Sequence, residues 1–508
     1  MNRILVLLLL LLPGLCLSEN VYQTRCAACH GADRFGGMGP ALLPENLSRL
    51  KKPEAARMIR DSRPGVQMPA FKDVLSEQQI AQLVELVYSP VVPAPKWGEA
   101  EIRASRVVHK PSPDVQKPRF AADPLNLFVV VEAGDHHVTI LDGERLEPIH
   151  RFASRYALHG GPKFSPDGRY VYFASRDGWL TKYDLWALET LVEVRAGINT
   201  RNAAVSSDGK YVIAANYLPH TLAVFDSQLN LLKLMEAKDE KGKSSRVSAV
   251  YDAAPRKSFI AALKDVPELW EISYDPKAED IATGLVHDFR LKEGAFVPGF
   301  LNPRRTRLAE VLDDFFFTPD YSEVVGAQRD GRRGQVVHLD VRRAIATLEL
   351  PGLPHLGSGI SWERDGRRVM ATPNLREGVV TVIDVATWKT LKQVPTLGPG
   401  FFLRSHEASR YAWVDSMMGT QGRDTLQLID KQTLEVVARL TPEPGKTLAH
   451  VEFDRHGRYA LASLWEQDGA LIVFDAATLK EVKRIPMKKP VGKYNVANKI
   501  RRAEGTSH

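Results

Sequence analysis

The chain has 508 residues, 44% of them apolar and 25% charged, with a formal net charge of +7. That length exceeds one ordinary core, so several domains or a repeat architecture are required, and the composition is that of a soluble globular protein. No run of five or six Lys/Arg occurs; such dispersed charge makes nucleic acid the weakest of the anionic partners and leaves an anionic membrane or small ligand.

Residues 1–18 have the pattern of a secretory leader: Arg3, an apolar run from Ile4 to Leu12, then Pro13-Gly14 and small residues. The run falls short of the ~20 apolar residues of a membrane span. Leu15 before Cys16 argues against lipidation, because a small residue would be wanted there. Cleavage near Ser18 puts the mature protein in the periplasm and leaves it two cysteines, too few for a disulfide framework.

Residues 19–90 are expected to form a small all-α domain. Cys26-Ala27-Ala28-Cys29-His30 is the C-x-x-C-H pattern of covalent heme attachment. Two thiols make thioether bonds to the porphyrin, and the next residue supplies an imidazole to the iron. A zinc or redox CxxC would need a second ligand pair or a thioredoxin-like context, and neither is present. Met68, on a loop stiffened by Pro69, is the leading second axial ligand, with Met38 and Met58 as alternatives. Ser76 and Gln79 form a capping box, and Ile80, Leu83, Val84 and Val87 then repeat at helical spacing. That helix is expected to close the heme crevice. Three prolines between 90 and 96 mark a stiff linker, drawn as 91–110.

From residue 111 to the end an internal repeat takes over. A turn cluster, an apolar strand, a second turn and a strand ending at or near Asp recur from about 122, 165, 206, 253, 318, 363, 405 and 454. The intervals run from 41 to 49 residues, except one of 65 that carries about twenty extra residues around 280–312. Each suits a four-stranded blade, so the fold is expected to be mainly β: an eight-bladed β-propeller behind the small helical domain. Such a ring leaves an axial opening wide enough for a flat macrocycle. Propellers bury their own edges, so a monomer is expected.

A C-x-x-C-H domain followed by eight blades resembles the cytochrome cd1 family, whose propeller holds heme d1. Several segments carry the resemblance. Tyr156-Ala157-Leu158-His159, before Ser165-Pro166-Asp167-Gly168, resembles the segment bearing the proximal ligand, which implies His159 as the iron ligand. Arg201, and with a weaker claim Arg256, fall in segments similar to those that bind the macrocycle's carboxylates; a guanidinium fork suits that contact. Gly492-Lys493-Tyr494-Asn495-Val496 resembles the end of the family pattern and places Tyr494 near the ring closure, and His355 matches the first of two distal histidines. Asn374 stands where the second is expected, and Glu132 where the family's nitrite reductase has an arginine. Asparagine delivers no proton at neutral pH. His450 is an added histidine at the entrance to the last blade.

These departures count against nitrite reduction. They imply the family's other chemistry, dehydrogenation of a propionate to an acrylate on dihydro-heme d1. In that reading His355 and His450 transfer protons, Tyr494 orients or relays, Arg201 holds a carboxylate, and heme c on His30 and Met68 passes electrons to an external cytochrome. Nitrite reduction and a non-catalytic carrier that hands heme d1 to the reductase remain the alternatives.

Overall fold

The computed structural model describes residues 12–501, except 38, 49, 63–67, 94, 111–114, 289–290 and 329–332. Most of the expected leader, and Met38, therefore lie outside the described residues. None of the helices among those described is long and apolar enough to cross a membrane.

Helices α1 (Leu12–Arg25), α2 (Ala27–His30), α3 (Pro44–Leu47), α4 (Lys52–Asp61) and α5 (Glu77–Tyr88) form the N-terminal unit. The start of α5 follows the capping pattern: Gln79 N–H donates to Ser76 Oγ at 3.2 Å, and Ser76 N–H donates to Gln79 Oε1 at 2.9 Å. Its buried face, Ile80, Leu83 and Val87, packs against Tyr22 of α1 and Leu47 of α3. At its far end the Arg34 guanidinium donates to the carbonyls of Leu86 and Ser89, the latter at 3.0 Å. Leu86 O also accepts from the Ser89 backbone and Oγ, the latter at 2.6 Å, so Arg34 adds to a helix end that is already capped.

Residues 91–110 are more than a linker. Trp97 donates its indole N–H to Arg195 O at 3.1 Å, α6 (Glu99–Ala104) buries Ile102, and Val107–Val108 pairs with the outer edge of the second blade. Apolar side chains spaced along this stretch find the flank of the propeller, which proline content alone does not reveal.

Eight four-stranded antiparallel blades follow, the second carrying Val107–Val108 as a fifth strand. The ring closes by pairing Pro490–Asn495 with Leu127–Glu132, Tyr494 opposite Val129, so the first blade is completed by the last strand of the chain and no open edge remains there. The repeated turn has a local cause. Ser165 Oγ donates to Asp167 Oδ1 at 2.5 Å, Ser206 to Asp208 at 2.6 Å and Thr318 to Asp320 at 2.7 Å. The aspartates that end third strands act likewise: Asp184, Asp430 and Asp475 each accept backbone N–H groups two or three residues on. The surplus in the long interval contains a hairpin, Ile281–Asp288 with Glu293–Val297, between the third and fourth strands of the fourth blade.

The helical unit docks on the second and third blades. Arg195 Nη2 donates to Phe35 O at 2.6 Å and Asn199 Nδ2 to Asn46 Oδ1 at 3.3 Å. Beside these bonds Ala41 and Leu43 pack on Ile198 and Leu218. This seam turns the C-x-x-C-H face toward the mouth of the ring.

Candidate active site

One cavity of about 1180 Å³ runs from the helical unit into the propeller, lined on one side by Cys26, Cys29, His30 and Met68 and on the other by Arg201, His355, His450 and Tyr494. Eight of the ten residues singled out from the sequence therefore share a single space.

On the helical side the donor set suits a covalent heme. The single turn α2 displays Cys26, Cys29 and His30 together. His30 is buried, and its Nδ1 lies 2.8 Å from Pro40 O. Only an N–H makes that contact attractive, so the bond fixes the tautomer and leaves Nε2 as the coordinating lone pair. Gly39 leaves room for the ring: a Cβ there would stand 2.5 Å from His30 Cε1. Burial, with Cys29 beside it, pushes the Cys26 thiol up to about 11. Met68 lines the same space, and its carbonyl accepts from Ser62 Oγ at 2.6 Å. Met58 lines it as well.

In the propeller, His159 lies in the strand Leu158–Phe164 opposite Ala174, where the register shifts before Lys163. Its side chain is outside the described residues, but Leu158, Gly160 and Lys163 line the cavity. Arg201 stacks over Tyr217, its guanidinium carbon 4.7 Å from the ring centre. Arg246 and Lys264 approach the same ring at 5.2 and 5.6 Å. Burial would raise the Tyr217 phenol, but Lys264 and Arg201 outweigh it and hold it below its ordinary value. Three cations around one phenol make this wall a basic cradle, although Arg246 also makes a two-point pair with Asp265 and Lys264 pairs with Asp313 at 2.7 Å. Arg246, Lys264 and Tyr217 come from separate strands or turns, and no spacing announces them.

Arg256 is not in that cradle. Its guanidinium makes a two-point pair with Glu271 at 3.0 and 3.1 Å and a further bond to Asp340 at 2.6 Å, tying the fourth blade to the fifth. Glu132 is likewise committed to structure. It accepts from Arg151 at 2.9 and 3.3 Å, from Thr139 Oγ1 at 2.6 Å and from Lys488 N at 2.8 Å.

The far wall is an aromatic arc. The rings meet tilted or edge to face: His355 with Phe401 at 4.1 Å, Phe401 with Phe402 at 4.6 Å, Phe402 with His450 at 4.5 Å and His450 with Tyr494 at 5.1 Å between ring centres. His355 Nδ1 donates to Phe401 O at 2.7 Å, which leaves Nε2 as its second functional atom. Burial lowers its pKa against the opposing pull of Asp314, whose own carboxyl is raised by burial. Asp314 lines the cavity and accepts from Tyr251 Oη at 2.9 Å and Gly357 N at 2.8 Å.

His450 sits at a register shift in Leu448–Phe453 with φ +51°, a left-handed conformation uncommon outside glycine. Lys493 Nζ, from the closing strand, donates to His450 O, to Ser463 Oγ at 2.8 Å and toward His450 Nδ1 at 3.4 Å. Burial, then Lys493 and Arg404, hold the His450 pKa well below the ordinary histidine value. Tyr494 fits because its neighbours are glycines: a Cβ on Gly492 would come 2.7 Å from its hydroxyl and one on Gly161 3.0 Å from its ring. Burial pushes its phenol up to about 12.

Asn374 is a brace. Its amide donates to Pro351 O, while its carbonyl oxygen accepts from the backbone of Leu353 at 3.1 Å, Arg376 at 2.9 Å and Glu377 at 2.9 Å. It anchors the segment that carries His355.

Comparison with known proteins agrees with this architecture. The Cytochrome D1 heme domain family matches residues 122–499, and the family described as Cytochrome C oxidase, cbb3-type, subunit III matches residues 18–87. The dihydro-heme d1 dehydrogenase of Pseudomonas aeruginosa is 55% identical over 492 residues, covering 96% of this chain and 95% of its own. The nitrite reductase of Stutzerimonas stutzeri is 24% identical over 536 residues, 95% of this chain and 92% of its own. Among solved structures, dihydro-heme d1 dehydrogenase NirN in complex with DHE matches with a TM-score of 0.83 and 54% identity, over 95% of this chain and 99% of that one. An eight-bladed propeller of the cytochrome d1 type fused to a C-x-x-C-H helical unit, at this identity over nearly its whole length, places the chain in the dihydro-heme d1 dehydrogenase family.

Proposed function

We propose that the protein oxidises dihydro-heme d1 to heme d1, converting one propionate side chain to an acrylate. The observation that carries this reading is the single cavity. It joins a heme-attachment turn to a ring-shaped receptacle with a basic cradle on one wall and two neutral histidines and a tyrosine on another. Forming the double bond removes two hydrogens, as two protons and two electrons.

Arg201 binds a substrate carboxylate and sets which side chain meets the arc, while Arg246 and Lys264, paired with Asp265 and Asp313, keep that wall basic. His159 is the protein ligand to the substrate's iron. Tyr494 and His450 lie side by side where a proton leaving the side chain is received, and His355 accepts through Nε2. Burial keeps both histidines unprotonated at neutral pH and therefore able to take a proton. Cys26 and Cys29 would hold heme c through thioethers, with His30 and Met68 as the donors to its iron, and the group would supply a one-electron acceptor at the end of the cavity. Two successive transfers are needed, and an external cytochrome is the final acceptor. The protein acts in the periplasm as a monomer and delivers its product to the nitrite reductase.

Purified protein mixed with dihydro-heme d1 and an oxidised acceptor is expected to change the absorption spectrum to that of the acrylate form within minutes. Intact heme c with bound substrate and no spectral conversion would defeat the reading. Nitrite reduction is disfavoured because Asn374 spends its hydrogen bonds on backbone groups.

A further inference from the structure

The two histidines of the arc are far apart in sequence, yet both are referred to the same carboxylate. Asp415 is buried just past the strand Tyr411–Val414 of the seventh blade. Its Oδ1 accepts from Phe401 N at 2.8 Å and Met417 N at 3.3 Å. Its Oδ2 accepts from Phe402 N at 3.1 Å and His450 N at 3.5 Å. The dipeptide so held carries the carbonyl that receives His355 Nδ1–H, and its two rings fill the space between His355 and His450.

We infer that Asp415 is a positioning residue for the reaction proposed above: through Phe401-Phe402 and the His450 backbone it fixes the separation and orientation of His355 and His450 along the cavity wall. The inference rests on that reading of the cavity. Asp415 touches neither the cavity nor the reacting atoms and works only through the residues it holds. Four backbone donors on two oxygens favour the ionised form, since protonation turns one oxygen into a hydroxyl that donates and accepts more weakly. Burial opposes ionisation and the four N–H groups favour it, which leaves the carboxyl at about 6. The His450 backbone donates to Asp415, and Lys493 interacts electrostatically with Asp415 as well as with Arg404 and Glu452.

The test uses the heme c-loaded full-length protein with dihydro-heme d1 and an oxidised acceptor. Asp415→Asn serves one pair of donors and opposes the other with its amide. Displacing proton-transfer groups by fractions of an ångström is expected to lower kcat by about tenfold or more, with substrate Kd within about threefold. The wild type is expected to lose turnover as pH falls through about 6, and the variant to lack that step. Phe402→Leu leaves the carboxylate and its bonds intact but shortens the spacer. It is expected to lower kcat with little change in Kd while keeping the pH step, which guards against misfolding as the cause. Wild-type kcat with the pH step retained in Asp415→Asn would overturn the inference, as would kcat and Kd moving together in both variants. A wild type that binds substrate without converting it would instead overturn the proposed reaction, and this inference with it.

Discussion

At the scale of single residues, the candidate chemistry depends on groups kept neutral by burial. His355→Ala is expected to reduce turnover by about 10²-fold or more, the usual weight of a positioned acid or base, while heme c absorbance stays unchanged; single-turnover spectra measure it. His450 gives a prediction about stability. Its folded pKa is depressed, so below the ordinary histidine value near 6.5 the unfolded chain binds a proton that the folded chain refuses. Stability is therefore complete above about 6.5 and is lost as the pH falls below it. His450→Gln removes that linkage, and the gap between wild-type and variant Tm is expected to change in the variant's favour between pH 7 and pH 5. Asp415 titrates in the same window with the opposite sign, but it is present in both proteins and cancels in the difference.

At the scale of elements, two contacts carry testable weight. Arg34 donates to the carbonyls of Leu86 and Ser89 at the end of α5. Arg34→Ala leaves Leu86 O with its Ser89 donors but takes the guanidinium from Ser89 O and is expected to cost about 1 kcal/mol in the helical unit, seen as a lower melting temperature of the heme c signal with the propeller transition unmoved. Arg195 is the polar rivet of the docking seam. It stacks over Trp97 at 4.7 Å and donates to Phe35 O. Arg195→Ala is expected to slow reduction of heme c by bound substrate while leaving substrate affinity unchanged, because the guanidinium lies outside the arc and the cradle. Stopped-flow absorbance at the heme c band separates the two effects.

At the scale of the whole molecule, closure and continuity matter most. The strand Pro490–Asn495 completes the first blade and also carries Lys493 and Tyr494. Removing residues 490–508 is expected to expose a long unpaired edge and yield aggregated protein, measured by light scattering. Replacing both Cys26 and Cys29 with Ala is expected to give a protein without heme c that still binds dihydro-heme d1 and fails to convert it, because the cavity keeps its cradle but loses its electron exit. Binding without conversion would show that the two ends of the cavity have separable tasks.

What the amino-acid sequence determined by itself were the features with local causes. The heme-attachment turn is legible because two thiols and an imidazole must come from five consecutive residues. The capping box at Ser76 and the strand-ending aspartates are legible because hydrogen bonds within a few residues set them. Eight repeats of one such unit then fix the blade count. The resemblance added His355 and Tyr494, with His450 standing out as a histidine beyond the family pattern, but it also named Arg256, which the folded chain uses to join two blades. Only the tertiary structure decided which side chains share the cavity, because the wall is assembled from strands and turns hundreds of residues apart. Tyr217 among three cations, Lys493 against the His450 bulge and Asp415 beneath Phe401-Phe402 have no periodicity to betray them. Their roles come from burial and from partners that closing the ring brings together.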